Sequence, residues 1–199
     1  MTIEVVTDRA TELTEYAGIP TAFEVREVLD VIAEADGRVR LEPRKLPVPY
    51  VKDYDASGET PIQWADRFDL SKWGFFSALS GPECVGRAAV AREIPSLEML
   101  DGRSDLALLW DIRVAPAARR QGVGSALFDA AVTWASSSGC RQLKVETQNI
   151  NVAACRFYAQ RGCTLGAVIR GAYPELPDEI QLLWFKDLRP LDYQVSHGR

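Results

Sequence analysis

Five residues near the middle of the chain have the types and spacing to bind an anion. Arg119, Arg120, Gln121, Gly122 and Gly124 stand between an apolar run, LALLWDIRV, and the start of a helical pattern. Glycines at such a junction let the backbone approach a ligand, and the free N–H groups of the helix start favour negative charge. Arginine side chains add charge for phosphates. The segment therefore predicts a phosphate-binding loop, and a plain strand–turn–helix with solvated arginines is the alternative.

Two better-known phosphate motifs do not fit this loop. A dinucleotide fingerprint needs a third small residue at position 127, which is Leu here, and an acidic residue about twenty positions later. A P-loop needs Gly-Lys-Ser or Gly-Lys-Thr after four intervening residues, and that sequence is absent. What remains is an Arg-x-x-Gly-x-Gly loop at the start of a helix.

The first half of the chain must supply part of the scaffold for this loop. Residues 23–47 predict two strands around a turn at 34–37, with a helix over 24–34 as the alternative. Thr60 and Pro61 predict the start of a short helix. The segments WGFFSALS and CVGRAAVARE predict a hairpin around Gly-Pro-Glu.

The second half alternates more clearly between strands and helices. The run at 106–114 is typical of a strand buried on both faces, and apolar residues at helical spacing then continue to Gly139. Asn151 predicts the cap of a helix that ends at Gly162. The remaining predicted strands are QLKVET, LGAVIRGAY and IQLLWFKDL.

Composition narrows the class of protein. The 199 residues are 47% hydrophobic with a net charge of −5, which predicts one medium domain and argues against nucleic-acid binding. No apolar run approaches the ~18 residues of a membrane span, and the first residues lack a signal-peptide pattern, so we expect a cytoplasmic protein. We expect an arm over 1–20, with a short helix there as the alternative, a single domain over 21–190 and a polar tail over 191–199.

Cysteine and histidine usage makes several chemistries improbable. Cys84, Cys140, Cys155 and Cys163 lie far apart, with no C-x-x-C pair, and the single histidine is His197. This pattern predicts neither a metal site nor a disulfide framework. We interpret the cysteines as reduced thiols, with a nucleophilic Cys155 as the alternative.

Two segments together resemble the general N-acetyltransferase (GNAT) superfamily. The loop is similar to the acetyl-CoA pyrophosphate loop of that family, Arg/Gln-x-x-Gly-x-Gly/Ala. NVAACRFYAQRGC resembles the family segment Asn-x-x-Ala-x-x-x-Tyr-x-x-x-Gly-Phe. Asn151, Ala154, Tyr158 and Gly162 are in register, and Cys163 stands where Phe is usual.

Longer stretches are similar to the streptothricin acetyltransferase branch of the superfamily. They include WDIRVAPAARRQGVGSAL and VETQNINVAACRFYAQRGCTLGAV, and the similarity runs from about Phe23 to Asp187. The resemblance implies an α/β (α+β) GNAT fold. In that fold, about four helices flank a mixed central sheet of six to seven strands, and a splayed strand pair binds acetyl-CoA.

The resemblance also implies which residues bind the cofactor. The strand at 110–114 is expected to splay from its neighbour, so that its backbone N–H groups hold the pantetheine and polarise the thioester carbonyl. The implied cofactor-binding residues are Ile112, Arg113, Val114, Arg119, Arg120, Gln121, Gly122, Val123, Gly124, Ser125, Asn151, Ala154 and Tyr158.

Direct acetyl transfer needs a neutral amine and a proton for the leaving thiolate. Tyr158 is our prediction for the general acid, although an aromatic pair on a helix face is also typical of core. Asp111 and Glu146 lie on the two strands flanking the expected thioester, where either can act as base or bind a cationic substrate. Each can instead be an edge charge.

The acceptor follows less directly from the sequence. Asp53, Asp55 and Glu59, with Tyr50 and Trp64 nearby, can recognise an amine or form a solvated loop. The resemblance implies acetylation of the β-lysine amine of streptothricin, which is cationic at neutral pH.

Three hypotheses stay open at this stage. They are a small-molecule N-acetyltransferase, a protein or peptide acetyltransferase, and a non-catalytic acyl-CoA-binding module. We expect no metal and no membrane or nucleic-acid partner, and a homodimer through the last strands is an open alternative.

Overall fold

The computed structural model describes residues 2–9, 13–57 and 60–188. The strands are β1 (Glu4–Asp8), β2 (Phe23–Ala33), β3 (Val39–Lys52), β4 (Trp73–Ser80), β5 (Glu83–Arg92), β6 (Leu106–Val114), β7 (Gln142–Gln148), β8 (Thr164–Ile169) and β9 (Gln181–Asp187). The helices are α1 (Leu13–Tyr16), α2 (Tyr54–Ser57), α3 (Trp64–Arg67), α4 (Val123–Ser137) and α5 (Val152–Gln160).

Seven strands form one mixed sheet in the order β1-β4-β5-β6-β7-β9-β8, and β2 and β3 form a separate antiparallel pair. Every neighbour in the large sheet is antiparallel except β6 and β7, which run parallel. Helix α4 connects these two parallel strands, as a crossover must. The predicted GNAT-type fold is confirmed.

The two faces of the sheet carry different cores. On one face, α4 packs its Val123, Leu127, Ala131 and Ala135 onto the strands, at the spacing of four that places side chains on one side of a helix. The other face carries a cluster rich in aromatic side chains: Tyr16, Trp64, Phe68, Trp73 and Phe75, with Trp110 against it.

The parallel pair separates part of the way along its length. Pairing of β6 with β7 runs from Leu106–Gln142 to Leu109–Val145 and stops there. On its other side, β6 stays paired with β5 as far as Val114, with a register shift beside Trp110. The expected splay is therefore present, and it opens a gap between β6 and β7 beyond Leu109.

The sequence predicts most of these elements but misses β1 and α2, and the strand predicted over LGAVIRGAY ends at Ile169. The two strands expected over 23–47 are confirmed, which excludes the helical alternative, and so is the hairpin of β4 and β5. Residues 1–20 do not behave as an arm in their described part, because β1 is an edge strand of the sheet on β4 and Tyr16 is buried. The expected tail, 191–199, lies outside the described residues.

Candidate active site

A cleft of about 990 Å³ lies where β6 and β7 separate. Its walls come from residues 108–114 of β6, 145–148 of β7 and the starts of α4 and α5. The segment at 52–55 and the loop between β8 and β9 close its other side. Groups from elements far apart in sequence thus face one space.

The predicted phosphate loop forms one end of this cleft. Gly122, just before α4, has φ +89°, a conformation that glycine adopts without strain. A side-chain atom added at Gly124 would meet Val114 and Phe157 only at 3.7 and 3.8 Å, so the backbone there is open to a ligand. The start of a fifteen-residue helix presents unpaired N–H groups at this point.

The side chains of the loop do not all face the ligand space. Arg119 lines the cleft, but its guanidinium donates to the carbonyls of Val114 at 3.2 Å and Ala22 at 3.1 Å, which fastens the loop to β6. Gln121 donates to the Ala117 carbonyl at 2.7 Å and lies outside the lining. Val123 is buried in the core.

Most of the other predicted cofactor residues do line the cleft. The members of the predicted set found there, beside Arg119 and Gly124, are Ile112, Arg113, Val114, Arg120, Gly122, Ser125, Asn151, Ala154 and Tyr158. Asn151 also caps α5, since its Oδ1 accepts the Ala154 N–H at 3.1 Å, as its position predicted.

Strand alternation identifies which N–H groups of β6 face the gap. The Ala115 N–H donates to the Val85 carbonyl at 2.9 Å, on the β5 side. Because successive N–H groups of a strand point in opposite directions, that of Arg113 also points toward β5. Those of Ile112 and Val114 point into the cleft, where β7 no longer pairs with them.

Tyr158 projects from α5 into the wall of the cleft. Its ring packs against Phe128 and Phe157, with 5.8 and 5.2 Å between ring centroids. No residue in the described ranges forms a hydrogen bond with its hydroxyl, which leaves that group for a ligand. Burial raises the pKa of Tyr158 well above its ordinary value, so the phenol keeps its proton at neutral pH.

Asp111 is enclosed by hydrogen-bond donors. Arg113 donates from Nε to Oδ1 at 3.0 Å and from Nη2 to Oδ2 at 3.0 Å, and the Tyr16 hydroxyl donates to Oδ1 at 3.0 Å. Burial raises the pKa of Asp111, against the smaller, opposite effect of Arg113. Because both of its oxygens accept hydrogen bonds, the Asp111 carboxylate links β6 to α1 and stabilises this part of the fold.

Among the residues that the structure describes, Glu146 has one hydrogen-bond donor. The Tyr173 hydroxyl, from the loop between β8 and β9, donates to Oε1 at 2.5 Å. Both side chains line the cleft and are half-buried. Burial and the nearby Glu146 raise the pKa of Tyr173, so this phenol stays a donor. Unlike Asp111, Glu146 thus keeps one carboxylate oxygen, Oε2, without a donor among the described residues.

The acidic residues predicted to recognise the acceptor are mostly anchored. Asp55 lines the cleft, and its carboxylate pairs with Arg113 Nη1 at 2.9 Å and accepts the Thr21 N–H at 3.1 Å. Asp53 accepts the Asp55 N–H at 3.0 Å at the start of α2. Trp64 lines the cleft, Tyr50 lines a different cavity, and Glu59 lies outside the described residues.

Three tyrosines of this site were not predicted from the sequence: Tyr16, Tyr54 and Tyr173. Tyr54 lines the cleft and donates to Gln148 Oε1 at 2.5 Å. Tyr16 and Tyr54 lie in short polar segments, and Tyr173 ends a predicted strand, LGAVIRGAY, that in the structure stops at Ile169. The bond from Tyr16 to Asp111 spans 95 positions in sequence. No local pattern marks such a contact.

Other chemistries find little support among the described residues. The Cys155 thiol is buried, lies 3.3 Å from the Thr147 hydroxyl, and has a pKa raised by burial to about 11, which makes it a poor nucleophile. Within the described ranges, no three His, Cys, Asp or Glu side chains are grouped to hold a metal ion. No helix of the described residues is long and apolar enough to cross a bilayer.

A mixed sheet that splays beside the start of α4, with Glu146 and Tyr158 lining the gap, is the arrangement that the resemblance to the acyl-CoA-dependent GNAT transferases implied. The chain belongs to the acetyltransferase (GNAT) family, whose family model matches residues 43–163. It is an acetyl-CoA-dependent N-acetyltransferase.

Two curated relatives of the chain are streptothricin acetyltransferases. The chain is 32% identical over 139 residues to streptothricin acetyltransferase A of Bacillus subtilis (strain 168), covering 69% of this chain and 73% of the relative. It is 29% identical over 177 residues to the streptothricin acetyltransferase of Escherichia coli, covering 87% and 90%.

A solved structure supports the same fold. It is the crystal structure of a candidate streptothricin acetyltransferase from Bacillus anthracis str. Ames in complex with acetyl coenzyme A. The match has a TM-score of 0.74 at 23% identity and covers 95% of this chain and 99% of that one.

Proposed function

We propose that the protein acetylates a primary amine of a small cationic molecule, and that streptothricin, through its β-lysine amine, is its acceptor. The observation that carries this proposal is the placement of Glu146 and the free hydroxyl of Tyr158 in one cleft at the splay. The names of the two curated relatives support streptothricin as the acceptor.

The residues at one end of the cleft fit acetyl-CoA. Its pyrophosphate would be held by the N–H groups around Gly122 and Gly124 at the start of α4, with Arg120 adding positive charge. Asn151 and Ala154 line the part of the cleft beside α5. Arg119, whose guanidinium is bound to two carbonyls, shapes the loop. When bound, acetyl-CoA supplies an activated acetyl group as a thioester.

Side-chain and backbone groups of the chain then accept a proton from the amine, stabilise the developing negative charge and protonate the leaving thiolate. Glu146 accepts a proton from the acceptor ammonium, which yields the nucleophilic amine. The Ile112 and Val114 N–H groups face the gap, where they stabilise negative charge developing on the carbonyl oxygen. Tyr158 gives its proton to the leaving sulfur. Asp111, occupied by Arg113 and Tyr16, keeps this wall of the cleft in place.

The acceptor side combines negative charge with aromatic surface. Glu146 provides a carboxylate, and the half-buried Trp110 lines the same cleft. An organic ammonium is attracted both to a carboxylate and to the face of an indole ring. This combination favours a cationic small molecule as the acceptor.

The test is release of free thiol from acetyl-CoA, measured with streptothricin and with a panel of amines and peptides as acceptors. Saturable turnover with streptothricin, with kcat/KM lowered by about 100-fold to 1,000-fold in Glu146→Gln, is the expected result. Turnover with peptides alone would replace the small-molecule acceptor with a protein one. Tight acetyl-CoA binding with no turnover on any acceptor would contradict catalysis.

A further inference from the structure

A second cavity lies beside the cleft. It has a volume of about 740 Å³ and sits between the β2–β3 pair and the loop that joins β8 to β9. Leu176, in that loop, lines both the cleft and the second cavity, so the two spaces are neighbours. None of the residues assigned above to acid, base or cofactor roles lines the second cavity.

Carboxylates dominate the charge of this cavity. Its acidic lining residues are Asp30, Glu175, Asp178 and Glu179, and its basic ones are Arg44 and Arg170. Arg44 forms an ion pair with Asp30 through hydrogen bonds of 2.7 and 3.1 Å. Arg170 donates to the carbonyl of Val31 at 3.0 Å. Lys52 offsets the charge of Glu179 through an ion pair, and Arg170 keeps its positive charge. Glu175 and Asp178 together outweigh Arg170, so the lining is net negative and attracts a cation.

Only one of the two carboxylate oxygens of Glu179 has a hydrogen-bond donor among the described residues. Its side chain is 8% exposed, and Oε1 accepts from the ammonium of Lys52 at 2.6 Å. Its second oxygen, Oε2, is buried, and no described residue donates to it. A buried acceptor without a donor costs free energy, and an N–H group entering the cavity would remove that cost.

Tyr50 adds an aromatic surface to the same cavity. It is 42% exposed. Burial raises the pKa of its phenol, and the charges of Glu179 and Asp178 raise it further, so the ring lies in a negative field. An exposed ring beside carboxylates is a favourable contact for an organic cation.

We propose that the second cavity binds an ammonium or guanidinium group, the remote cationic end of an extended acceptor whose other amine reacts in the cleft. Glu179 and Asp178 supply the negative charge, and Tyr50 supplies the ring. The link to acetylation rests on the proposed function, whereas the binding of a cation does not.

The first experiment measures binding without acetyl-CoA. Spermidine is titrated by calorimetry into the wild type and into Asp178→Asn, Glu179→Gln and Tyr50→Leu, with Glu83→Gln as the control for loss of one distant carboxylate. We expect Kd to rise about threefold to tenfold in the three cavity variants and to stay unchanged in the control. Unchanged affinity in the exposed variants Asp178→Asn and Tyr50→Leu would overturn the site, whatever the fold of Glu179→Gln. Weakening by Glu146→Gln alone would overturn it equally.

The second experiment separates this site from the proposed function. Thiol release is compared for streptothricin and for a short monoamine in wild type and Asp178→Asn. We expect a higher KM for streptothricin, an unchanged kcat, and no effect on the monoamine. If no amine is acetylated but spermidine still needs Asp178, the proposed function fails and the cation site stands. If streptothricin is acetylated with the same KM in both proteins, the cation site falls and the function stands.

Discussion

The hydroxyl of Tyr173 donates a 2.5 Å hydrogen bond to Oε1 of Glu146, from a loop to a strand 27 positions away. The loop between β8 and β9 thus fixes a carboxylate at the mouth of the cleft. Asp111 is instead fixed by Arg113 within its own strand and by Tyr16 from the first helix. The two carboxylates of the site therefore have different environments, and mutation should separate them.

Glu146→Gln should lower kcat/KM by about 100-fold to 1,000-fold, because an amide cannot take the proton of the amine. Tyr173→Phe should lower kcat by about tenfold and leave the KM for acetyl-CoA unchanged, since the phenol orients the carboxylate without touching the cofactor loop. Steady-state kinetics across pH 6–9 checks both. Equal rates for Glu146→Gln and wild type would remove Glu146 from catalysis, and a raised acetyl-CoA KM in Tyr173→Phe would place the tyrosine elsewhere.

Asp111→Asn should act chiefly on stability. It leaves the buried Arg113 with Asp55 as its remaining ion-pair partner, and breaking a buried ion pair costs about 3–5 kcal/mol. We expect a lower free energy of unfolding in urea, with a pH–rate profile of unchanged shape for the folded enzyme. Tyr16→Phe, which removes one donor to Asp111, should cost about 1 kcal/mol. A fully stable Asp111→Asn that has lost its acidic limb would instead identify Asp111 as the base.

Sequence periodicity was enough to predict the strands and helices that bury a continuous apolar face. The apolar run of β6 and the spacing of Val123, Leu127 and Ala131 predicted a strand and a helix that the structure confirms. Edge strand β1 was missed because the burial of Glu4–Asp8 does not alternate, with Val5, Val6 and Asp8 partly buried, and because polar types dominate such a short segment.

The contacts that distinguish Asp111 from Glu146 could not be predicted from the sequence. Tyr16 lies in a short segment with no periodicity, and Tyr173 lies beyond the end of β8, although the sequence predicted a strand as far as that residue. Each reaches its partner only through the folded sheet. The glycine loop was recognisable because its chemistry is local, in the backbone itself. The hydrogen bond from Arg119 to the Ala22 carbonyl could not be predicted, because Ala22 is distant in sequence.

Gly124 offers a graded test of the cofactor loop. Gly124→Ala adds one atom with ordinary contacts to Val114 and Phe157, at 3.7 and 3.8 Å, so the affinity for acetyl-CoA should change by less than about threefold. Gly124→Trp fills the adjoining cleft and should abolish binding. Calorimetry with acetyl-CoA measures both, and thermal melting confirms that each variant folds. Unchanged affinity in Gly124→Trp would contradict the loop assignment.

The thiols should differ sharply in reactivity. Burial raises the pKa of Cys155 and of Cys163 to about 11 each and also raises that of Cys140. At pH 8, a thiol with a pKa of about 11 is only about one part in a thousand thiolate. A disulfide reagent should therefore label the half-buried Cys84 alone in the native protein, and Cys84→Ser should abolish rapid labelling. Rapid labelling of Cys155 would show that its surroundings open in solution.

Tyr158→Phe tests the general acid. Burial raises the pKa of Tyr158 well above its ordinary value, so the phenol remains protonated as pH rises, and its ionisation cannot produce a basic limb below pH 9. The variant should therefore lose kcat by about 100-fold while keeping the wild-type profile shape and acetyl-CoA KM. Phe157→Leu, which alters packing beside the same ring without removing a proton donor, is the matched control and should change kcat far less. Wild-type turnover in Tyr158→Phe, or an equal loss in both variants, would leave the phenol with a packing role only.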